Sequence, residues 1–183
     1  MGSPKQLLRI DGITLVRRVA EVALASRCDG VYVVVGAAAE TVRREVSELS
    51  LEVVDNPHWE KGLAGSIRVG IEAVRAACPE FDAAILAMVD QPQVHPALLD
   101  QLIEVFEGGE QEIVTCAYAG TVGPPALFSR DRFADLTALS GDRGAKSLIE
   151  SGDAEVAQIP FPDAATDLDT PRDYQRFLER GRC

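Results

Sequence analysis

"AAILAMVDQP" (Ala83–Pro92) sets an uncharged apolar run of strand length directly against a carboxylate, Asp90, and a turn-forming Gln91-Pro92. A run with no polar alternation is the pattern of a strand covered on both faces, as in the parallel sheets of α/β proteins. Two further runs share the character. Gly30 to Gly36, "GVYVVVG", is a short buried strand closed by glycine, and Leu51 to Asp55 is another. Helical spacing fills the intervals. Thr14 to about Arg27 brings Leu15, Val19, Val22 and Ala23 onto one side, and Ala38 to Leu49, Ser66 to about Ala77 and Pro96 to Phe106 follow, with Pro96 suited to a first turn. Strands alternating with helices in this rhythm predict an α/β fold, a mostly parallel sheet with helices on both faces.

The second half is less regular. Glu112 to Cys116 and Ala126 to Phe128 are expected as strands around a turn at Gly120 to Pro125. Arg130 to Ala138 and Arg143 to Glu150 are expected as short helices, Val156 to Ile159 as a strand and Pro171 to Leu178 as the closing helix. Ligands of open α/β sheets sit beyond the carboxyl ends of the strands, so the loops after Val35, Val54, Val89 and the final strand hold the candidates.

A chain of 183 residues, 46% hydrophobic and 26% charged, fits one soluble domain spanning residues 1–183. Its formal net charge of −11 repels nucleic acid and anionic lipid, which argues against either as a broad-surface partner. Cys28, Cys78, Cys116 and Cys183 form no C-x-x-C, and neither His58 nor His95 has a cysteine neighbour, so a zinc site is not expected. With no signal peptide or long apolar segment in view, idle thiols in a reducing cytoplasm are the expectation.

Asp90 fits two readings, a turn former or a metal ligand. The second gains from "DLDTPRD" near the C-terminus, where Asp167 and Asp169 flank Leu168. Residues two apart in extended chain face the same way, so both carboxylates can point to one spot. Gathered carboxylates repel unless a cation lies among them, and oxygen-only ligands suit Mg²⁺. Thr170 and Asp173 have the spacing of a capping box. In "NPHWEKGLAGSI" (Asn56–Ile67), Gly62 and Gly65 allow close backbone approach, and Ser66 is either a helix N-cap alone or also a nucleotide contact. Trp59 serves core packing or a base platform equally well. "SGDRGAK" (Ser140–Lys146) offers Gly141, Asp142 and Gly144 at a helix entrance, with Arg143 and Lys146 on one face, either a solvated cap or a phosphate clamp. Lys5, beside Gly2 and Pro4, could neutralise a triphosphate.

Together these stretches resemble the nucleotidyltransferases of molybdenum cofactor biosynthesis, the MocA-like and MobA-related branch. "MGSPKQLL" resembles the end of the family's Leu-Ala-Ala-Gly-x-Ser-x-Arg-Met-Gly-x-x-Lys signature. "NPHWEKGLAGSI" resembles its Asn-Pro-x-Trp-x-x-Gly loop, "MVDQP" its metal-binding Asp motif, "LSGDRGAK" its Gly-Asp-x-Gly-Ala-Arg motif and "DLDTPRDY" its Asp-Ile-Asp-Thr-Pro-Glu-Asp ending. The five occur in family order along the whole chain. The resemblance implies a Rossmann-like fold of the nucleotide-diphospho-sugar transferase type. It implies Mg²⁺-dependent transfer of a nucleoside monophosphate from CTP or GTP to the terminal phosphate of a molybdopterin cofactor, with release of pyrophosphate. A molybdoenzyme receiving the product is a possible partner. By the same resemblance Lys5 and Asp90 are catalytic, Lys5, Gly65, Ser66 and Asp90 bind the nucleotide, and Asp90, Asp167 and Asp169 hold metal. Gly141, Asp142, Arg143, Gly144 and Lys146 face the acceptor.

Four departures qualify this. Gly123-Pro124-Pro125 stands where the family has Gly-His-Pro, Lys146 stands for an arginine fork, and Ser66 follows Gly65 where two serines are common. The strand and Gly-rich turn expected before Met1, which choose the base and lie between the strands at Val31 to Val35 and Ala83 to Val89, are absent. The expectation is that Met1 is an internal Met of an Arg-Met-Gly sequence. A different phosphorylated acceptor, such as a sugar phosphate, and a catalytically inactive nucleotide- or partner-binding module are the alternatives.

Overall fold

The computed structural model describes residues 4–165, 168 and 170–180. A 3-10 turn at Lys5–Leu7 leads into a tight hairpin, β1 (Arg9–Ile10) with β2 (Ile13–Thr14). Asp11 and Gly12 close it at φ 51° and 84°, the left-handed pair that a two-residue hairpin loop requires. Helix α1 (Leu15–Leu24), strand β3 (Tyr32–Val35), helix α2 (Ala39–Val46) and strand β4 (Glu52–Asp55) follow, with β4 parallel to β3. Then come α3 (Leu63–Ala77), β5 (Ala83–Leu86), α4 (Pro96–Glu107), β6 (Ile113–Tyr118), β7 (Thr121–Ser129), α5 (Phe133–Ala138), α6 (Lys146–Ile149), β8 (Val156–Pro160) and α7 (Pro171–Arg180). The second sheet has the order β5-β7-β6-β8. Strand β7 runs antiparallel to both neighbours and β8 parallel to β6, so β5, β6 and β8 all end at one rim.

The expected turn at Gly120 to Pro125 is shorter than the sequence suggests. Ala119 and Gly120 alone make it, at φ 49° and 76°, and Pro124 and Pro125 lie inside β7. They are tolerated because the β6 register jumps there, from Thr115↔Ala126 to Cys116↔Gly123, leaving both prolines opposite no residue of β6. The same prolines explain why β5 stops at Leu86 rather than Val89. Leu86 pairs with Ala126, and the next position on β7 is Pro125, which has no N–H to extend the ladder.

Side-chain alternation along the second sheet builds two cores. Ala83, Ile85, Val114, Cys116, Leu127 and Ile159 face α4. Ala84, Leu86, Ile113, Ala126 and Phe128 face α3 and α5. In the first sheet Val33 and Val35 pack on α1 and α2, while Val34 meets α3 at Gly70. A Cβ on Gly70 would stand 3.0 Å from a Val34 methyl, so the missing side chain lets helix and sheet close up. Helices α1 and α3 therefore each cover both sheets, one on either face. Among the described residues β3 pairs only with β4, and β5 only with β7. A fourth cluster seats α7, through Tyr174, Phe177 and Leu178, on Leu8, Ile10, Leu15 and Leu168. The capping box at its start is formed, with the Thr170 hydroxyl donating to Asp173 at 2.6 Å and the Asp173 N–H returning a bond to that hydroxyl at 3.2 Å. Those bonds from Thr170 hold the Asp173 carboxyl below the usual carboxylate range.

Leu102 is wholly buried where α4 meets the sheet, so Leu102→Ala is expected to lower unfolding free energy by about 2–5 kcal/mol in urea titration. Burial pushes the Cys116 thiol up to about 12. Its folded value lies above that of the unfolded chain, so its contribution to stability is complete below about pH 9 and erodes as the pH rises from there towards 12. Alkaline urea titrations of the wild type and Cys116→Ala should accordingly converge with rising pH, and Cys116 should resist thiol reagents at pH 8 until the chain unfolds.

Candidate active site

At the rim beyond β5 the sequence positions meet. Asp90 lies four residues past the strand end, and its carboxylate accepts a 2.8 Å bond from the Lys5 ammonium, with the two side chains 15% and 27% exposed. The pair is only partly withdrawn from water, so it ties the two segments together while adding little to overall stability. The N–H of fully buried Leu168 donates to the Asp90 carbonyl at 3.2 Å, which docks the C-terminal segment on the same turn. Asp167 and Asp169 lie outside the described residues.

One residue after Lys5, the Gln6 side-chain amide donates to the Ala37 carbonyl at 3.0 Å, binding the N-terminal turn to the loop after β3. In that loop Gly36 lies under Trp59. A Cβ there would fall 2.4 Å from the Trp59 Cβ and 2.6 Å from its Cγ, so only glycine admits the indole. Trp59 is not core: it remains 44% exposed.

Asn56, buried at the end of β4, organises the long loop that follows. Its N–H donates to the Val35 carbonyl at 2.8 Å, its side-chain amide donates to Ser66 Oγ at 3.0 Å, and its side-chain oxygen accepts from the His58 N–H at 3.0 Å. Sequence reasoning did not single out Asn56, although an Asn-Pro pair directly after a strand is the available signal. Ser66 is not the N-cap of α3. The helix starts a turn earlier, at Leu63, with Gly62 in the N-cap position at φ 105°, and Ser66 and Gly65 lie inside it. Only a glycine holds that dihedral without strain, so the break falls at Gly62.

Gly62 also accepts the approach of the second motif. A Cβ on it would fall 2.5 Å from the Gly141 carbonyl oxygen and 2.6 Å from Asp142 Oδ1. The Gly141 carbonyl takes a 3.2 Å bond from the Ala64 N–H, one of the first-turn donors that a helix leaves open. At Gly144 a Cβ would touch a Leu63 methyl at 3.3 Å. Gly141, Asp142 and Gly144 are thus brought to the start of α3. Lys146 is turned elsewhere, its ammonium 2.6 Å from Thr121 Oγ1 and 3.6 Å from Glu150, against the β6–β7 hairpin. The shared helical face expected for Arg143 and Lys146 does not form, because α6 begins only at Lys146 and Arg143 precedes it in the exposed loop. Gly123, before the two prolines, lies beneath the Tyr118 hydroxyl, 2.5 Å from where its Cβ would be.

No group of three His, Cys, Asp or Glu side chains able to hold a metal converges among the described residues. Asp90 nevertheless has the character a hard cation takes, a carboxylate held partly out of water and already matched to a positive charge.

Comparison with known proteins finds relatives over most of the chain. Residues 1–156 match the family model described as MobA-like NTP transferase domain. The crystal structure of Rv0371c from Mycobacterium tuberculosis H37Rv is 35% identical, covers 98% of this chain and 90% of its own, and superposes with a TM-score of 0.83. Its complex with manganese matches at 34% identity over 96% of this chain and 91% of its own, with a TM-score of 0.82. Among curated proteins, nicotine blue oxidoreductase of Paenarthrobacter nicotinovorans is 29% identical over 96% of this chain and 88% of its own length. Purine catabolism protein PucB of Bacillus subtilis (strain 168) is 26% identical over 95% and 87%.

Gly62→Ala places a methyl group against the backbone of Gly141 at a positive φ. It should cost about 1–3 kcal/mol in denaturant titration and raise the hydrogen exchange of the Ala64 amide, which loses its Gly141 acceptor.

Proposed function

Since the chain belongs to the MobA-like NTP transferases, a family of nucleotidyltransferases, we propose that it transfers a nucleoside monophosphate from CTP or GTP to the terminal phosphate of a molybdopterin cofactor, releasing pyrophosphate. The observation that carries this reading is the Lys5–Asp90 pair at the carboxyl rim, a cation and a carboxylate drawn from two separate motifs of the family and held in contact. In-line attack by an acceptor phosphate oxygen on the α-phosphorus forms one P–O bond and breaks the bond to the β-phosphate. No covalent enzyme intermediate is needed, so positioning and charge neutralisation carry the catalysis.

The residues divide that work. Lys5 stands ready to exchange its Asp90 contact for triphosphate oxygens and to neutralise the departing pyrophosphate. Asp90, with Asp167 and Asp169 as the further candidates, would hold Mg²⁺, and the bound ion would supply charge neutralisation at the phosphates. The manganese complex of the mycobacterial relative supports a divalent metal for the family. Ser66 and Gly65, fixed by Asn56, border the nucleotide, and the loop of Gly141 to Gly144 closes the acceptor side. Gly123-Pro124-Pro125 keeps another phosphorylated acceptor in contention, because the prolines offer no side-chain donor beside the end of β5.

The test is pyrophosphate release on mixing protein, Mg²⁺, each nucleoside triphosphate and molybdopterin cofactor or a sugar phosphate. Asp90→Asn keeps an oxygen for Lys5 but removes the charge. It should reduce kcat by about 100-fold or more. Its stability should fall by only about 1 kcal/mol. Large unfolding with retained turnover would return Asp90 to a purely structural role.

A further inference from the structure

We propose that Asn56 is a positioning residue that sets the polarity of Ser66, leaving its hydroxyl able only to donate, and that this hydroxyl donates to a hydrogen-free oxygen of the nucleoside triphosphate. The inference rests on the nucleotidyl-transfer reading and adds to it the direction of one hydrogen bond and the residue that dictates it.

The His58 N–H can only donate, and it meets the Asn56 side chain at 3.0 Å, so the atom facing it is the amide oxygen. The atom facing Ser66 Oγ at 3.0 Å is therefore the amide nitrogen, which has hydrogens to give and no lone pair to accept with. Asn56 is 3% exposed, so its amide is held to these partners rather than to water. Ser66 Oγ is thus the acceptor in this bond, and its own hydrogen points elsewhere. Among the described residues no acceptor takes that hydrogen. Ser26, Ser47, Thr137, Ser147 and Ser151, in or beside helices, behave differently. Each gives its hydroxyl hydrogen to the carbonyl three residues back, at distances between 2.7 and 3.1 Å. Ser66 stands in the same relation to Leu63 and makes no such bond.

The unused hydrogen lies at the carboxyl rim. Gly70, one turn further along the same face of α3, packs on Val34, so Ser66 stands towards the ends of β3 and β4. Asn56 anchors it there, since its N–H bonds the Val35 carbonyl at the end of β3. Two residues beyond Val35, Ala37 holds Gln6, the neighbour of Lys5. Backbone donors at the start of α3 are partly spent, Ala64 on the Gly141 carbonyl and Gly65 on the Gly62 carbonyl, each at 3.2 Å. A donor-only hydroxyl suits a partner whose oxygens carry lone pairs and no hydrogen, and a triphosphate is built of such oxygens.

The test is a double-mutant cycle, with wild type, Ser66→Ala, Asn56→Asp and the double variant each titrated calorimetrically with CTP and GTP in Mg²⁺. Asn56→Asp keeps the acceptor for His58, but its carboxylate has no hydrogen to give and captures that of Ser66. Ser66→Ala should weaken triphosphate binding by about 10-fold. Asn56→Asp should weaken it about 10-fold more in the wild type than in the Ser66→Ala background. The cycle cancels repulsion between the new carboxylate and the triphosphate, which acts in both backgrounds. In pyrophosphate assays the single variants should raise the nucleotide KM and leave the acceptor KM within about twofold. Unchanged affinity in Ser66→Ala, an Asn56→Asp effect of equal size in both backgrounds, or a rise in the acceptor KM alone would overturn the proposal while leaving the transferase reading intact. If Asn56→Asp fails to fold by circular dichroism, Asn56→Ala replaces it under the same criterion, and the Ser66→Ala titration decides should neither fold. A wild type that binds neither triphosphate sinks the transferase reading itself and this inference with it.

Discussion

A single pair of opposite charges, Lys5 and Asp90, joins segments 85 residues apart, and the geometry of the rim depends on it. The ammonium draws the N-terminal turn over the end of β5, and Gln6 in the next position then reaches the loop after β3. The Asp90 backbone adds a second tether by accepting the Leu168 N–H, so three distant parts of the chain converge on one turn. The chain is strongly acidic as a whole, and Lys5 sets a positive charge at this point of the rim.

Around that pair the loops interlock by backbone approach more than by side-chain bonding. Gly36 lodges Trp59, Gly62 accommodates Gly141 and Asp142, and Gly144 meets Leu63. In each case the space a Cβ would take is filled by the neighbouring loop, which makes the rim rigid without a dense hydrogen-bond network. Asn56 is the exception, a buried residue that makes four bonds, two of them through its side-chain amide, and sets where β4, the His58 turn and α3 meet. Residues that position a site in this way need not touch a ligand to matter for its precision.

Much of the fold was legible because both of its periods are clean. The apolar runs at Tyr32–Val35 and Ala83–Leu86 are strands, and the helical repeats from Leu15, Ala39, Leu63 and Pro96 are helices. Boundaries failed where a partner strand decides them. The end of β5 and the start of β7 follow from two prolines and a register jump, which are relations between strands rather than properties of either one. Ser66 has the chemistry of a cap, but the positive φ of Gly62 claims the helix start. The juxtaposition of Gly141 with Gly62 could not be foreseen, since glycines advertise permitted approach without naming what approaches. Asp90 and Lys5 were found as separate candidates, and only the folded chain turns them into a pair.

The side-by-side sheets carry a consequence of their own. Strands β3 and β5 lie between the same two helices, yet each is laddered along one edge only among the described residues. Along the other edge of each, no ladder forms among the described residues, although buried backbone groups are almost always paired. Amides outside any ladder exchange their protons sooner than laddered ones, so the two strands should exchange unevenly along their two edges.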